Sequence, residues 1–299
     1  MVRVRAPATT ANLGPGFDTL GMALNLYLQV EAELMGSGIE IVFSGVRDRL
    51  VMESPQENLI YKAMNLVFKK ALYQPTGLYI EIDNDIPIGK GLGSSAAAIV
   101  AGMFTANRLI GDPFSSEELL RWAVAMEGHA DNVVPCRTGG LTVAMVYKGE
   151  VFYQRVQAGQ ELQVVAAVPE FILTTEQSRS VLPSSIALPE VISNLQRACF
   201  LLASLYNGDF SHIDKAMQDM VFQPLRQQFI PGFQQVLKSA LAAGALGTAL
   251  SGAGPSVMAF TRAGQETVVG QAMAEAFGEA GVKVQVLYLK PDMQGVHYY

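Results

Sequence analysis

Between Ile86 and Ala97 the chain reads IPIGKGLGSSAA, with glycines at 89, 91 and 93, serines at 94 and 95, and small apolar residues continuing to Ala101. No other stretch limits the fold as much. Glycine at alternate positions is poor material for a strand or helix, but it lets the backbone turn sharply and approach a ligand closely. The serines supply helix caps, and the alanine-rich run predicts a helix from Ser95 towards Leu109. Upstream, Leu78, Ile80 and Ile82 alternate with polar or outward positions and predict a strand, which Asp83-Asn84-Asp85 turns into the loop. A glycine loop between a strand and a helix start presents free N–H groups and the positive end of a helix dipole, a site for anions and above all for phosphate. Taken alone, a glycine-rich stretch of this kind is in most cases an ordinary turn, capped here by Ser94 or Ser95. The loop has neither the Gly-Lys-Ser/Thr ending of a Walker loop nor the third glycine of the dinucleotide fingerprint, because Ser94 stands there.

The rest of the chain supplies the frame. Val2, Val4 and Ala6 alternate with Arg3 and Arg5, predicting a strand that ends at Pro7. Ala8 to Asp18 is rich in turn formers and reads as a loop. Leu24 to Leu34 alternates most clearly, and Gly36-Ser37-Gly38 predicts a hairpin into Ile39–Phe43. Ser54-Pro55-Gln56-Glu57 predicts a capped helix reaching about Leu72, and Ser115 with Glu118 forms a second capping box. On that second helix Leu120, Ala123 and Val124 share a face whose next position is Glu127, so a carboxylate points inward beside a helix C-terminus and calls for a cation; the plainer alternative is a glutamate turned to solvent where the helix frays at Gly128. His129-Ala130-Asp131-Asn132 follows as a polar loop, then strands at 141–147 and 151–156. A polar break at Gln157-Ala158-Gly159-Gln160 predicts a boundary. Beyond it come a strand (162–168), helices (about 189–206, 210–222 and 233–243), strands (246–250 and 256–261), a helix (265–280) and a strand (282–289). With the extra helices as insertions this is β-α-β-β-α-β, the ferredoxin-like order. Ser251-Gly252-Ala253-Gly254-Pro255-Ser256 joins its two middle strands, either as a simple hairpin or as a loop exposing N–H groups to phosphate.

With 299 residues, 50% of them hydrophobic, the chain is ample for one or two globular domains. A formal charge of −6 argues against a nucleic-acid or membrane-surface partner. Two cysteines without metal spacing, no signal-peptide pattern and no long apolar run predict a cytoplasmic protein with no membrane span.

Pro7–Asp18, Pro87–Ala97 and Ser251–Ser256 together resemble the three motifs of the GHMP kinases, in the right order and spread over nearly the full chain. Glu127–Pro135 and Arg179-Ser180-Val181-Leu182-Pro183 make it most similar to the homoserine kinase family within that group. The resemblance implies an α+β fold: a ribosomal-S5-like ATP-binding domain over 1–157 and a ferredoxin-like domain over 158–299. It implies ATP as co-substrate, held by Pro87, Ile88, Gly89, Lys90, Gly91, Leu92, Gly93, Ser94, Ser95, Ala96 and Ala97 with Gly252 and Gly254. Mg²⁺ would be held by Ser95, or its neighbour Ser94, and Glu127. The implied reaction is phosphorylation of the L-homoserine hydroxyl on the route to threonine, by in-line transfer with Asn132, Ser95 and Glu127 at the reacting centre. A homodimer is a further family expectation.

That substrate is a zwitterion with a hydroxyl. Its carboxylate suits the planar fork of arginine, and Arg179 and Arg226 match the family's carboxylate-binding positions. Its ammonium suits Asp18, while Asn12, His129 and Asn132 match the remaining substrate shell. Asp131 is the one carboxylate near Asn132 able to act as a base; the resemblance implies transfer without one, which a loose transition state tolerates. Lys90 either neutralises phosphates or faces solvent. The rival readings are a kinase of the same fold acting on another small alcohol such as mevalonate, which has no ammonium for Asp18 to meet, and a binding protein that has lost catalysis.

Overall fold

The computed structural model describes residues 1–44, 55–157 and 162–299. Val2–Ala11 (β1) pairs antiparallel with Leu20–Met35 (β2), the strand with the clearest alternation, whose Leu28, Val30 and Ala32 are buried. Strand β1 does not end at Pro7. It runs through the proline with a register shift between Pro7 and Ala8, the bulge that lets a residue without an N–H sit in a ladder. Residues 8–11, expected as loop, are therefore strand, and the loop proper is Asn12–Thr19.

Gly38–Phe43 (β3) does not form the expected hairpin. It pairs parallel with Gly77–Asn84 (β4), and β4 takes the place beside β2. Leu78, Ile80 and Ile82 of β4 are fully buried against β2, whereas β3 is half-buried to exposed, so the more apolar strand takes the interior and β3 the edge. Leu59–Lys70 (α1) is capped by Asn58, which accepts from the Tyr61 N–H; the Ser54 cap expected from the sequence lies outside the described residues.

Ser94–Leu109 (α2) is buried nearly all round and is the central helix of this half. Its N-cap is Gly93 at φ +70° with no side-chain cap bond, so Ser94 and Ser95 are its first helical residues, not caps. Ser116–Glu127 (α3) carries the expected Ser115–Glu118 box and ends at Gly128 in the left-handed conformation. Val133–Thr138 (α4) is a short helix that the sequence did not signal. Leu141–Tyr147 (β5) and Glu150–Val156 (β6) pair with each other, and β5 also pairs with β2.

The second half begins at Leu162–Pro169 (β7), followed by Thr175–Ser180 (α5), Leu188–Asn207 (α6), Ile213–Ala216 (α7), Gln223–Arg226 (α8) and Phe233–Ala242 (α9). Gly247–Leu250 (β8), Val257–Arg262 (β9), Glu266–Glu279 (α10) and Val284–Leu289 (β10) complete it. The sheet order β10-β7-β9-β8, antiparallel throughout, is the ferredoxin-like arrangement, with α9 and α10 sharing its core. The helix expected over 210–222 forms only as α7. Asp219, buried, takes the N–H groups of Val221, Phe222 and Gln223 on its carboxylate, which ends the helical ladder there. The fold is α+β, as expected. The polar break at 157–160 falls mostly on residues outside the description (158–161). The last strand, His297–Tyr298 (β11), returns to pair with β1 in the first sheet.

Candidate active site

A cleft of about 520 Å³ opens between the glycine loop, the Asn12–Thr19 loop, the end of α3, and the segments 172–179 and 252–254. One close backbone approach and two sets of side-chain hydrogen bonds hold its walls. Gly91, at φ +79°, lies so close to the Ser251 loop that a Cβ there would stand 2.2 Å from the Ser251 carbonyl oxygen. The Ser251 hydroxyl bridges the Gly91 carbonyl (2.7 Å) and the Thr10 hydroxyl (2.9 Å). Asn12, itself left-handed, donates to the Gly252 carbonyl and accepts from the Asp18 N–H, joining the first motif to the third. The three motifs thus meet although they are far apart in sequence.

Of the expected loop residues, Ile88, Gly89, Lys90, Gly91, Gly93, Ser94 and Ser95 line the cleft, with Gly252 and Gly254 opposite. Pro87, Leu92, Ala96 and Ala97 do not. Leu92, Ala96 and Ala97 are buried in the core, which supports the loop from behind, and the Leu92 carbonyl accepts from the Thr9 N–H. Lys90 is half-buried and lines the cleft. Its ammonium donates to the carbonyls of Glu170 (2.5 Å) and Phe171 (2.8 Å), tying the loop to the chain just beyond β7.

At the start of α2 the Ser95 hydroxyl donates to Glu127 Oε2 at 2.7 Å. Glu127 points inward, its side chain only 10% exposed, which decides for the inward of the two readings that the face periodicity of α3 left open. Burial raises its carboxyl pKa, opposed by the Ser95 hydrogen bond and by His129. His129 Nδ1 lies 2.8 Å from Asp131 Oδ1, and its Nε2 is 3.9 Å from Glu127 Oε1. Burial alone lowers the imidazole pKa, but the Asp131 hydrogen bond and the charges of Asp131 and Glu127 outweigh it, and the net shift is upward. Asn132 donates to the same Asp131 oxygen at 3.2 Å and accepts from the Thr9 hydroxyl at 2.7 Å.

Across the cleft, Phe17 stacks on Phe222 with ring centroids 3.9 Å apart, and the guanidinium groups of Arg179 and Arg226 lie 5.2 and 5.1 Å from the Phe17 ring. Arg179 pairs with Asp18 at 2.5 Å, each side chain more than a third exposed. The two charges expected to hold opposite ends of an amino acid are therefore paired with each other. Arg226 is only 3% exposed, and its hydrogen bonds among the described residues go to the carbonyls of Ser178 and Gly252. Burial and the nearby Arg179 both pull its pKa down. The charges of Asp18, Asp219 and Asp131 oppose that shift without cancelling it. A buried cation whose hydrogen bonds go to neutral carbonyls is an attractor for an anion.

The Ser95 and Glu127 oxygens are hard donors of the kind Mg²⁺ accepts when water and phosphate supply its remaining ligands. No group of three or more His, Cys, Asp or Glu side chains among the described residues is arranged to hold a metal by itself. The donor set therefore fits a metal that arrives with a phosphate.

Sequence reasoning missed Phe17, Thr9 and the segment 172–175. The last was signalled by a capping box, Thr174 with Gln177, which the structure contains. Phe17 and Thr9 carried no signal, since an aromatic residue in a loop and a hydroxyl in a strand have many ordinary uses.

The family models for the GHMP kinases N terminal domain and the GHMP kinases C terminal domain match residues 58–140 and 201–280. A homoserine kinase of Moorella thermoacetica is 43% identical over 295 residues, covering 99% of both chains. One of Carboxydothermus hydrogenoformans is 40% identical over 304 residues, covering 99% of this chain and 96% of that one. The crystal structure of homoserine kinase from Cytophaga hutchinsonii superposes with a TM-score of 0.90 at 32% identity, covering 100% of this chain and 97% of that one. A mevalonate kinase of L. major, 16% identical with a TM-score of 0.75, shares the fold. Nearly complete coverage at this identity places the chain in the homoserine kinase family of the GHMP kinases.

Proposed function

We propose that the protein transfers the γ-phosphoryl group of ATP to the hydroxyl of L-homoserine. The observation that carries this reading is the pair of arginines about Phe17, one of them buried without a carboxylate partner, in the same cleft as the glycine loop and the Ser95–Glu127 pair. One wall suits a nucleoside triphosphate and the other a small zwitterion. We assign residues 1–157 to an ATP-binding domain and 158–299 to a ferredoxin-like domain, with both contributing residues to the site between them.

In this reading the N–H groups of Gly93, Ser94 and Ser95 at the uncapped start of α2 receive phosphate oxygens. Ser95 and Glu127 hold Mg²⁺, which supplies charge neutralisation at the transferred phosphoryl when bound. Arg179 and Arg226 take the substrate carboxylate. Its ammonium goes to Asp18, so substrate replaces the Asp18–Arg179 pair with two new ones. Asn12 and His129 shape the remaining shell, and Asn132 faces the reacting hydroxyl. Asp131 is 3% exposed, with one oxygen already engaged by His129 and Asn132, which favours transfer without a dedicated base. Positioning and charge neutralisation then supply most of the acceleration, as expected for in-line phosphoryl transfer through a loose transition state.

Coupled ADP release measured over homoserine, mevalonate, serine and threonine tests the assignment. Turnover should be highest with homoserine; preference for mevalonate, or nucleotide binding without turnover on any of the four, overturns it.

We further propose a cytoplasmic homodimer. Its support is the exposed stripe of α6: Leu188, Ile192, Leu195, Cys199 and Tyr206 recur at intervals of three, four and seven residues without a charge. That is the seam of a helix pair, and an uncharged seam complements a second copy of itself. Sedimentation should show a dimer that Leu195→Glu converts to monomer; a monomeric parent at micromolar concentration rejects it.

A further inference from the structure

Thr9 lies on β1, fully buried, and is not among the residues lining the cleft. Its hydroxyl is nonetheless 2.7 Å from Asn132 Oδ1, and its N–H donates to the Leu92 carbonyl at the end of the glycine loop. Gly93, the last residue before α2, lies so close that a Cβ there would be 1.9 Å from Thr9 Oγ1 and 3.1 Å from Asn132 Oδ1. One buried hydroxyl therefore stands where the first motif, the glycine loop and Asn132 converge.

The chemistry of the partners fixes which way the Asn132 amide points. Asp131 Oδ1, a carboxylate oxygen, only accepts, so the amide must turn Nδ2 towards it. That leaves Oδ1 facing Thr9, and the Thr9 hydroxyl must donate. With the oxygen occupied and one Nδ2 hydrogen given to Asp131, the second Nδ2 hydrogen is the group Asn132 offers to the cleft it lines. Without the Thr9 donor, the buried Oδ1 would be unpaired, and a rotated amide that finds other partners would carry that hydrogen away.

We propose that Thr9 is a positioning residue for phosphoryl transfer: by donating to Asn132 Oδ1 it locks that amide so that an N–H faces the acceptor hydroxyl and the transferred phosphoryl. The inference rests on the kinase reading of the cleft. It deepens that reading by assigning a role to a residue that touches no substrate.

The test is a double-mutant cycle. Thr9→Val keeps the shape and β-branching but removes the donor; Thr9→Ser keeps the donor and removes a methyl. Homoserine-dependent kcat should fall about tenfold or more in Thr9→Val, with KM for ATP within about twofold of the parent, and Thr9→Ser should recover most of the loss. In an Asn132→Ala background, Thr9→Val should cost almost nothing further, because the group it positions is gone. Parental kcat in folded Thr9→Val overturns the proposal, as does an equal loss in the two backgrounds, which marks a purely structural role. Should Thr9→Val not fold, Thr9→Ala, which removes the donor without inserting a methyl in its place, runs the same cycle. Failure of the kinase reading is distinguishable, since the parent would then release no ADP with homoserine.

Discussion

Arg226 shows how a single residue reveals the missing half of a site. Arg226 is 3% exposed, and its hydrogen bonds among the described residues go to carbonyls; the Phe17 ring and the charges of Asp18, Asp131 and Asp219 offset only part of the cost of leaving water. Such a group is retained for what it binds. Arg226→Met keeps most of the volume and removes the charge. Its KM for homoserine should rise about a hundredfold, the scale of a lost charge-assisted pair, while KM for ATP is unchanged. Folding stability should move by no more than ~1 kcal/mol, because removing the buried charge offsets the two carbonyls left unpaired; chemical denaturation beside steady-state kinetics checks both. Asp131 permits the opposite kind of statement. In Asp131→Asn an oxygen that can accept from His129 and Asn132 survives, so the substitution removes proton-accepting power and the charge that raises the His129 pKa while keeping the hydrogen-bond geometry. A loss in kcat below about a hundredfold is expected, and a loss of 10²–10⁴ with the fold and substrate affinity intact would make Asp131 the base. Residues of this kind were unequally legible. The position of Glu127 on the apolar face of α3 was legible from helical periodicity, but periodicity left a carboxylate turned to solvent at the fraying end as an even alternative, and only the packed fold decides for the inward one. The Asp18–Arg179 pair was not legible, because a loop residue and a residue 161 positions later are brought together only by the tertiary fold.

At the scale of elements, the glycine loop is defined by what it touches. Gly91 needs a positive φ and has no room for a Cβ against Ser251. Gly91→Ala therefore has to push the loop off the 251–256 turn. Strain at φ +79° and the steric contact together should cost ~2–3 kcal/mol of stability, and nucleotide affinity should fall with it; urea unfolding and nucleotide titration report the two effects separately. Gly36, with open space around the position of a Cβ and no positive φ, is the control at which alanine should be tolerated. Most elements were readable because alternation and capping are local physics: β2, β4, α3 and the four-stranded second sheet lie where the pattern put them. The errors fell where a distant partner decided. Strand β4 displaced β3 from β2 because its face is more apolar, β1 continued through Pro7 because a bulge absorbs a missing donor, and the carboxylate of Asp219 ended a helix that propensity would have extended.

At the scale of the molecule, the two halves share more than a cleft. One continuous core cluster runs from Val4 and Val30 of the first sheet to Leu162, Met258 and Phe260 of the second. Polar ties cross between them at Asn12–Gly252, Ser251–Thr10, Ser251–Gly91, Lys90–Glu170 and Asp18–Arg179. The chain then returns. Strand β11 pairs with β1, Tyr298 lies over Arg108 with the guanidinium carbon 4.0 Å from the ring centroid, and its hydroxyl donates to the Phe104 carbonyl in α2. The first and last strands are thus neighbours in one sheet, and the second half cannot separate without pulling on the edge of the first. Two family domains need not unfold together, but a shared core and a returning strand couple them. Equilibrium unfolding in urea, followed by far-ultraviolet circular dichroism and by the fluorescence of Trp122, which packs in the first half against Phe114, should give coincident transitions. Tyr298→Ala should lower the common midpoint by an amount worth about 2 kcal/mol, and should do so for both probes alike. Two separated transitions in the parent, or a loss confined to the tryptophan signal in the variant, would mean that the halves are independent units and that closure of the cleft is a rigid-body docking step.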